Sequence, residues 1–395
     1  MGINVASCSP NWQKMQTRKD SIVAGFRKGL AGLIQSHKVR IFQGRGIVIN
    51  PQQVRIESPA GPADIAVRKG IILATGSEPI NIPAFPFDAA AILSSKEVFS
   101  LKAIPQSMVI IGGGVIGCEL ACVYSAVGTK VTIVEALPRL LNKEDAWVSQ
   151  MLERELKKLG IDILTNQKVI SVDTSSPAAK VVLENRQVLN AEKVLVSVGR
   201  KAVCDGETVE SLRMAMNGSA IKVSEKMQTN VPGVYAIGDA VGTTYLAHGA
   251  FAEAEVAAEN ITGGNARMDD YSLIPRAVYT FPEVASVGKT EQQCIDDGVD
   301  VTVGRAFFKA NGRSVAHNET TGEIRVVREK GSDKILGIAM VGSAVTELIS
   351  SARLLIGSKE KCTEVSFPHP TVSDVLKEAW EDAFDMSLHN PPKTP

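Results

Sequence analysis

Residues 108–135 read MVIIGGGVIGCELACVYSAVGTKVTIVE, and this stretch decides the fold. Met108 to Ile111 is an apolar run of the kind that forms a buried parallel strand, and it passes directly into Gly112-Gly113-Gly114-Val115-Ile116-Gly117. That turn opens a helix from Val115 to Val127, which stops at Gly128 as a left-handed residue after a helix end would. A second β-branched strand, Val131 to Val134, ends on Glu135. A bare G-x-G-x-x-G is weak evidence. Strand, turn, helix, strand and terminal acid in this order identify a dinucleotide-binding unit. Gly112 permits the tight turn, Gly114 lets a pyrophosphate approach the backbone, and Gly117 lets helix and strand pack closely. The helix start supplies unpaired N–H donors for phosphates. Glu135 suits ribose hydroxyls and would repel a 2′-phosphate, and no arginine follows before Arg139, so the pattern favours NAD over NADP.

Working outward, Met15 to Gln35 reads as an amphipathic helix with Ile22, Val23, Phe26, Leu30 and Leu33 at helical spacing. Short strands are expected at Val39–Phe42, Gly46–Ile49 and Gln53–Ile56, and an apolar strand from Ile71 ends in the small-residue turn Thr75-Gly76-Ser77. Beyond Glu135 the pattern gives a helix from Asp145 to Leu159, a strand at Ile161–Leu164, and a meander through Val169–Val172, Lys180–Leu183 and Lys193–Val196. A short strand from Gly233 ends on Gly238-Asp239 and feeds an alanine-rich helix, Ala247 to Ile261. From about Tyr271 the rhythm changes. Strands at Val301–Val303, Arg305–Phe308, Glu323–Val327 and Ile335–Val341 precede helices at Ala344–Leu355 and after Pro370, an α+β layer suited to dimerisation. A polar tail follows from Asn390 to Pro395.

The 43 basic and 43 acidic residues cancel and show no basic block, so neither nucleic acid nor an anionic membrane is an expected partner. The one long apolar stretch, Met108 to Val127, is the nucleotide turn and its helix, so no membrane span and no signal peptide are expected. This places the protein in the cytoplasm, or in an organelle matrix had a leader been removed. Six scattered cysteines suit a reducing compartment and make no zinc spacing. Cys118 and Cys122 lie four apart on the nucleotide helix; packing of small buried thiols is the simpler account, a redox pair the other. The five histidines do not cluster, and no metal is expected.

Taken in order, Ala74–Pro79, Gly112–Glu119, Gly199-Arg200, Thr229–Asp239, Leu246–His248, Tyr279–Ala285, Gly288–Glu291 and His369–Thr371 resemble the flavin-dependent pyridine nucleotide-disulfide oxidoreductases. Within that family the likeness is greatest to the dihydrolipoamide dehydrogenase branch, and it runs over essentially the whole chain. The resemblance implies an α/β fold. Residues 1–104 and 201–268 would form an FAD-binding Rossmann-like domain, 105–200 an NAD-binding Rossmann-like domain, and 269–395 an α+β dimerisation domain. It implies FAD and NAD as cofactors, a homodimer, and dihydrolipoamide carried on the lipoyl domain of a 2-oxo acid dehydrogenase complex as substrate. By the resemblance, Gly238 and Asp239 meet the ribityl chain of FAD, Tyr245, Leu246, Ala247 and His248 run along the flavin, and Thr75, Gly76, Ser77 and Gly46 line the adenosine half. NAD would be lined by Gly112, Gly113, Gly114, Val115, Ile116, Gly117, Cys118, Glu119, Glu135, Val169 and Gly199.

His369 is the implied general base, reaching the partner subunit's redox centre to take a proton from the dithiol. The family sets an orienting acid, usually glutamate, five residues on; here it is Asp374. Thr371-Val-Ser-Asp374 is equally a capping box, in which Asp374 would serve backbone N–H groups instead. A complete relative also opens with a glycine turn for the FAD pyrophosphate and a helix bearing two cysteines separated by four residues. This sequence contains neither, so the resemblance leads us to expect an N-terminal truncation or an incompletely defined gene. The apolar surface of the remaining FAD-domain strands would then be uncovered. It also leaves lipoamide turnover by these residues in doubt, with a non-catalytic NAD-binding dimer and a disulfide-independent NADH oxidase as the competing functions.

Overall fold

A computed structural model describes residues 2–358 and 362–390, so residues 391–395 of the polar tail lie outside the described residues. The chain forms two compact units, one of residues 1–80, 96–104 and 200–269, the other of residues 81–95, 105–199 and 270–395.

In the second unit, five parallel strands stand in the order Ile92–Leu93, Lys193–Val196, Ser107–Ile111, Lys130–Val134, Asp162–Leu164. Ser107–Ile111 lies at the centre with β-branched neighbours on both sides, which is why it reads as an unbroken apolar run. The register pairs Ile111 with Val134, so Gly112 and Glu135 leave adjacent strand ends side by side. The helix Val115–Ala126 starts there and ends at Val127, with Gly128 at φ +99°. The antiparallel meander Val169–Asp173, Ala179–Leu183, Val188–Ala191 closes over one face, packing Val181, Leu183 and Ala191 against Val109, Val194 and Val196.

The same unit carries an antiparallel five-stranded sheet in the order Arg276–Val278, Glu283–Gly288, Ile335–Gly342, Glu323–Glu329, Val301–Phe307. The helices Val345–Leu355 and Ser373–Ala383 cover it, burying Ile349, Leu376 and Trp380 on Ile324, Val326 and Met340. The two strands expected at Val301–Val303 and Arg305–Phe308 are one, Val301–Phe307. Gly304 breaks the sequence pattern because a Cβ there would lie 2.1 Å from the Ala379 carbonyl oxygen; the last helix rests directly on that strand.

In the first unit, Ile71–Leu73 pairs in parallel with Val234–Ala236, and Ser77–Pro79 pairs antiparallel with Arg200–Ala202. A three-stranded antiparallel sheet of Arg45–Asn50, Gln53–Glu57 and Ala63–Ala66 shares their core through Val48, Ile71, Leu73 and Val234. The N-terminal helix forms as Trp12–Ser36, joined to the unit by the Trp12 indole N–H to the Leu101 carbonyl at 2.7 Å and Lys19 Nζ to the Phe99 carbonyl at 2.6 Å. Its apolar stripe faces outward, Phe26 being 76% exposed. The strand expected at Val39–Phe42 does not form: Lys38 turns the chain at φ +58°, and the alternating residues meet no partner strand among those described. Alternation alone cannot make a strand without a neighbour to complete the ladder.

Candidate active site

The nucleotide turn is built by three glycines under different constraints. Gly112 has φ +108°, accessible to a residue without Cβ, and its N–H donates to the Val134 carbonyl at 2.8 Å. At Gly117 a Cβ would sit 2.0 Å from the Gly112 carbonyl oxygen, so only hydrogen lets the helix lie on the strand exit. At Gly114 nothing lies within 4 Å, and no side chain caps the helix there. The first-turn N–H donors of Val115 and Ile116 therefore face an open approach, and these residues fit a dinucleotide pyrophosphate.

Glu135 folds back over this turn. Its Oε2 accepts the Gly113 N–H at 2.6 Å and its Oε1 accepts the Leu137 N–H at 2.7 Å, fixing the carboxylate at the strand end. Ser197, which pattern reasoning missed, donates to the Ile111 and Gly112 carbonyls at 3.2 and 3.1 Å, bracing the turn from the neighbouring strand. Gly199 follows at φ +122°. Cys118 is wholly buried under the turn, its thiol on the Gly113 carbonyl at 3.4 Å. Burial pushes the Cys118 and Cys122 thiols upward, and both are free thiols. Val169 opens the meander and is buried in the core that the meander shares with the parallel sheet.

Glu119 accepts the Tyr279 N–H at 2.9 Å. Burial raises its carboxyl above the ordinary value of 4.5, and the Tyr279 bond draws it partly back. A carboxyl raised in the folded state contributes stability that is full below the ordinary value and lost as pH climbs through the folded one. Glu119→Gln, which stays neutral and keeps an acceptor, should therefore match the native protein near pH 4 and exceed it in stability above neutrality. Denaturant midpoints across pH check this; parallel profiles for the two proteins would refute it.

In the first unit, Thr75, Gly76 and Ser77 lie beside Gly238 and Asp239. The Ser77 hydroxyl donates to Asp239 Oδ2 in a short bond, and the Thr75 hydroxyl makes another to the Val203 carbonyl. Arg200 binds Ser77 through Nε to the hydroxyl and Nη2 to the carbonyl, each at 2.7 Å, and stands 3.8 Å from Asp239. Its Gly199-Arg200 context marked a strand end; the guanidinium's use, 123 residues from Ser77, left no local signal. Tyr245 adopts φ +55°, and the helix Ala247–Ile261 then begins at Leu246 with no side-chain cap, leaving His248 on an exposed first turn. These groups fit the sugar-alcohol and ring portion of a flavin: hydrogen-bond acceptors at Asp239, close backbone at Gly238, and the positive end of a helix dipole at Leu246. Gly46 lies in the antiparallel sheet opposite Ile56.

His369 and Asp374 come together. His369 Nδ1 is 2.9 Å from Asp374 Oδ2, and that same oxygen accepts the Thr371 N–H at 3.1 Å. The two contacts that the sequence offered as alternatives thus coexist. The rest of the capping box is not made: the Asp374 N–H donates to the Thr371 carbonyl at 3.4 Å rather than to the Thr371 hydroxyl, which itself donates to the Pro368 carbonyl at 2.7 Å. Asn311 holds the loop from outside, its amide donating to the Thr371 carbonyl at 2.9 Å. With Nδ1 engaged and the side chain 78% exposed, Nε2 is the outward-facing nitrogen. Among the described residues no group of three or more His, Cys, Asp or Glu is arranged to hold a metal, and no helix is long and apolar enough to cross a membrane.

A parallel nucleotide-binding sheet, a second Gly-Asp turn beside an uncapped helix and a separate antiparallel α+β layer define a two-nucleotide oxidoreductase architecture. Residues 4–254 match the pyridine nucleotide-disulphide oxidoreductase family and residues 274–380 its dimerisation domain, and the chain belongs to that family. It is 34% identical to a dihydrolipoyl dehydrogenase of Bacillus subtilis over 385 residues, covering 96% of this chain and 84% of that protein. Dihydrolipoyl dehydrogenase 1, mitochondrial, of Arabidopsis thaliana is 36% identical over 397 residues, covering 98% and 78%. The fold matches crystalline LpdA from Mycobacterium tuberculosis with a TM-score of 0.89 at 21% identity, over 95% of this chain and 84% of that one. The chain is thus a dihydrolipoyl dehydrogenase-like oxidoreductase of a flavoprotein family that pairs FAD with NAD(P), and its dimerisation domain fits a homodimer.

Proposed function

We propose that the protein serves the NAD-linked oxidation of dihydrolipoamide, dihydrolipoamide + NAD⁺ → lipoamide + NADH + H⁺, as a homodimer on a 2-oxo acid dehydrogenase complex. The observation that carries this is the His369–Asp374 contact at 2.9 Å, which directs one imidazole nitrogen outward from an exposed loop of the dimerisation domain. In a protein that also carries the family's redox disulfide, which these residues do not contain, the substrate would give a thiol proton to this imidazole so that its sulfur can attack that disulfide, a transfer that suits an imidazole near neutral pH. Asp374 fixes the tautomer by accepting from Nδ1, so Nε2 is the nitrogen that takes the proton, and it stabilises the imidazolium that results. Glu135 would receive the adenosine ribose of NAD and disfavour a 2′-phosphate, while the Gly112–Gly117 turn takes the pyrophosphate. Asp239, oriented by Ser77 and Arg200, would hold the flavin side chain; FAD, when bound, supplies the two-electron relay between dithiol and nicotinamide.

A second reading has its own support. The six cysteines at positions 8, 118, 122, 204, 294 and 362 include no pair with four residues between its members, Cys118 and Cys122 having three, so these residues contain no redox pair of the family's spacing. On that ground the chain would act as a disulfide-independent NADH oxidase or a non-catalytic NAD-binding dimer. One set of assays separates the readings. Under the first, purified protein is yellow and uses NADH far better than NADPH. A form that carries the family's redox disulfide reduces NAD⁺ with dihydrolipoamide at a rate that His369→Gln lowers about a hundredfold, leaving NADH-driven dye reduction unchanged. Dye or oxygen reduction without dihydrolipoamide turnover supports the oxidase, and a colourless NAD-binding dimer the non-catalytic protein. A preference for NADPH contradicts the assignment of Glu135.

A further inference from the structure

Glu253 is a buried carboxylate, 1% exposed, that the proposed chemistry leaves unused. It lies on the Ala247–Ile261 helix, and its Oε2 accepts the Gly238 N–H at 2.5 Å. The helix rests closely on that turn, since a Cβ at Gly238 would lie 3.2 Å from the Ala250 Cβ, three residues before Glu253 on the same helical face. Gly238 stands at φ +66° and begins the single 3-10 turn Gly238–Ala240 that carries Asp239. No other side chain caps this turn through its preceding residue, Ile237.

A buried carboxylate is costly unless its oxygens are hydrogen-bonded. An apolar side chain could fill this position among Gly249, Ala250 and Ala257 if packing were the whole requirement. A carboxyl oxygen on a backbone N–H fixes direction as well as distance, and taking it away would leave the Gly238 N–H without that partner. We propose that Glu253 is a positioning residue. By holding the Gly238 N–H it sets the turn so that the Asp239 carboxylate is presented to the flavin side chain. Ser77 and Arg200 hold Asp239 from its side-chain end, and Glu253 holds the N–H of the residue before it, Gly238. The inference rests on the reading of Asp239 as a flavin ligand given above.

The test compares wild type, E253Q and E253L in two measurements. FAD is titrated into flavin-free protein and followed by quenching of its fluorescence, and amide hydrogen exchange at Gly238 is followed without FAD. E253L is expected to bind FAD at least about tenfold more weakly and to exchange Gly238 faster. E253Q, whose amide oxygen can still accept, should regain most of the affinity and lie about threefold below wild type. A merely structural role would lower the unfolding midpoint while leaving FAD affinity and Gly238 exchange as they are, and that result overturns the proposal. If E253L does not fold, E253Q with wild-type affinity and wild-type exchange overturns it alone. Failure of wild type to bind FAD would sink the functional reading instead, and Gly238 exchange would still decide whether Glu253 holds the turn.

Discussion

Gly117→Ala is expected to unfold the nucleotide turn, lowering stability by about 3 kcal/mol or more and abolishing NADH binding. The added methyl would meet the Gly112 carbonyl oxygen at 2.0 Å and the Ser197 hydroxyl at 2.9 Å. The Gly112 backbone cannot yield. Its N–H is bonded to Val134, and the strand before it is paired on both sides in the centre of the parallel sheet. The helix must therefore lift away, taking with it the N–H donors that a pyrophosphate needs. Gly114→Ala is the control. Its φ of −77° suits any residue and its Cβ position is open, so stability should stay within about 0.5 kcal/mol. The methyl would nevertheless occupy the approach to the helix start, and NADH binding should weaken at least about tenfold. Denaturant unfolding and NADH fluorescence titration separate the two effects. A stable, nucleotide-competent Gly117→Ala protein would refute the packing argument.

That contrast was legible in the sequence because its main constraint, the Gly112 carbonyl against Gly117, lies within 28 residues whose order is the fold, whereas the Ser197 hydroxyl on the same turn comes from outside them. Strand, turn, helix and terminal acid constrain one another locally, and the structure reproduces the helix end at Gly128 and the side-by-side strand exits. The Ala247–Ile261 helix was equally plain, since a long alanine-rich run bounded by Gly263 has few other conformations open to it. Where contacts join distant residues, pattern failed. Arg200 reaches Ser77 across 123 residues, and nothing near either residue announces it. Val39–Phe42 has the alternation of a strand and becomes an exposed coil, because a ladder is a property of two segments. The strands Arg276–Val278 and Glu283–Gly288 escaped notice for the converse reason. Their residues, Ala277, Ala285 and Ser286 among them, are weak strand formers placed by their partners.

The His369 loop shows the same division within six residues. Sequence supplied the two partners for Asp374 and could not choose between them. Geometry gives both to one oxygen, because the backbone of Thr371 and the ring of His369 approach the carboxylate together. The capping contact holds the acid still, and a held acid orients the ring. What reads as two competing functions in one dimension is a single arrangement in three.

That arrangement depends on the helix behind it, and Trp380→Ala should show how strongly. Trp380 is 1% exposed in the core of the antiparallel sheet, on the Ser373–Ala383 helix that bears Asp374 in its first turn. Truncation to alanine should cost about 3–5 kcal/mol, because the strand below cannot close the cavity. Gly304 already brings that strand into backbone contact with the helix, and the Arg305 N–H is fixed to Asp382 at 2.8 Å. Trp380→Phe should be far milder, on the order of 1 kcal/mol, since the buried indole N–H has no hydrogen-bond partner and its removal offsets part of the lost volume. Unfolding midpoints in denaturant give both values. Amide exchange at Thr371, whose N–H is held by Asp374, reports the consequence at the loop: faster in Trp380→Ala, near native in Trp380→Phe. Equal stability losses in the two variants would mean that the indole is held by its nitrogen rather than by its volume. Native exchange at Thr371 in Trp380→Ala would mean that the loop keeps the His369–Asp374 contact without the helix, through Asn311 and Pro368 alone.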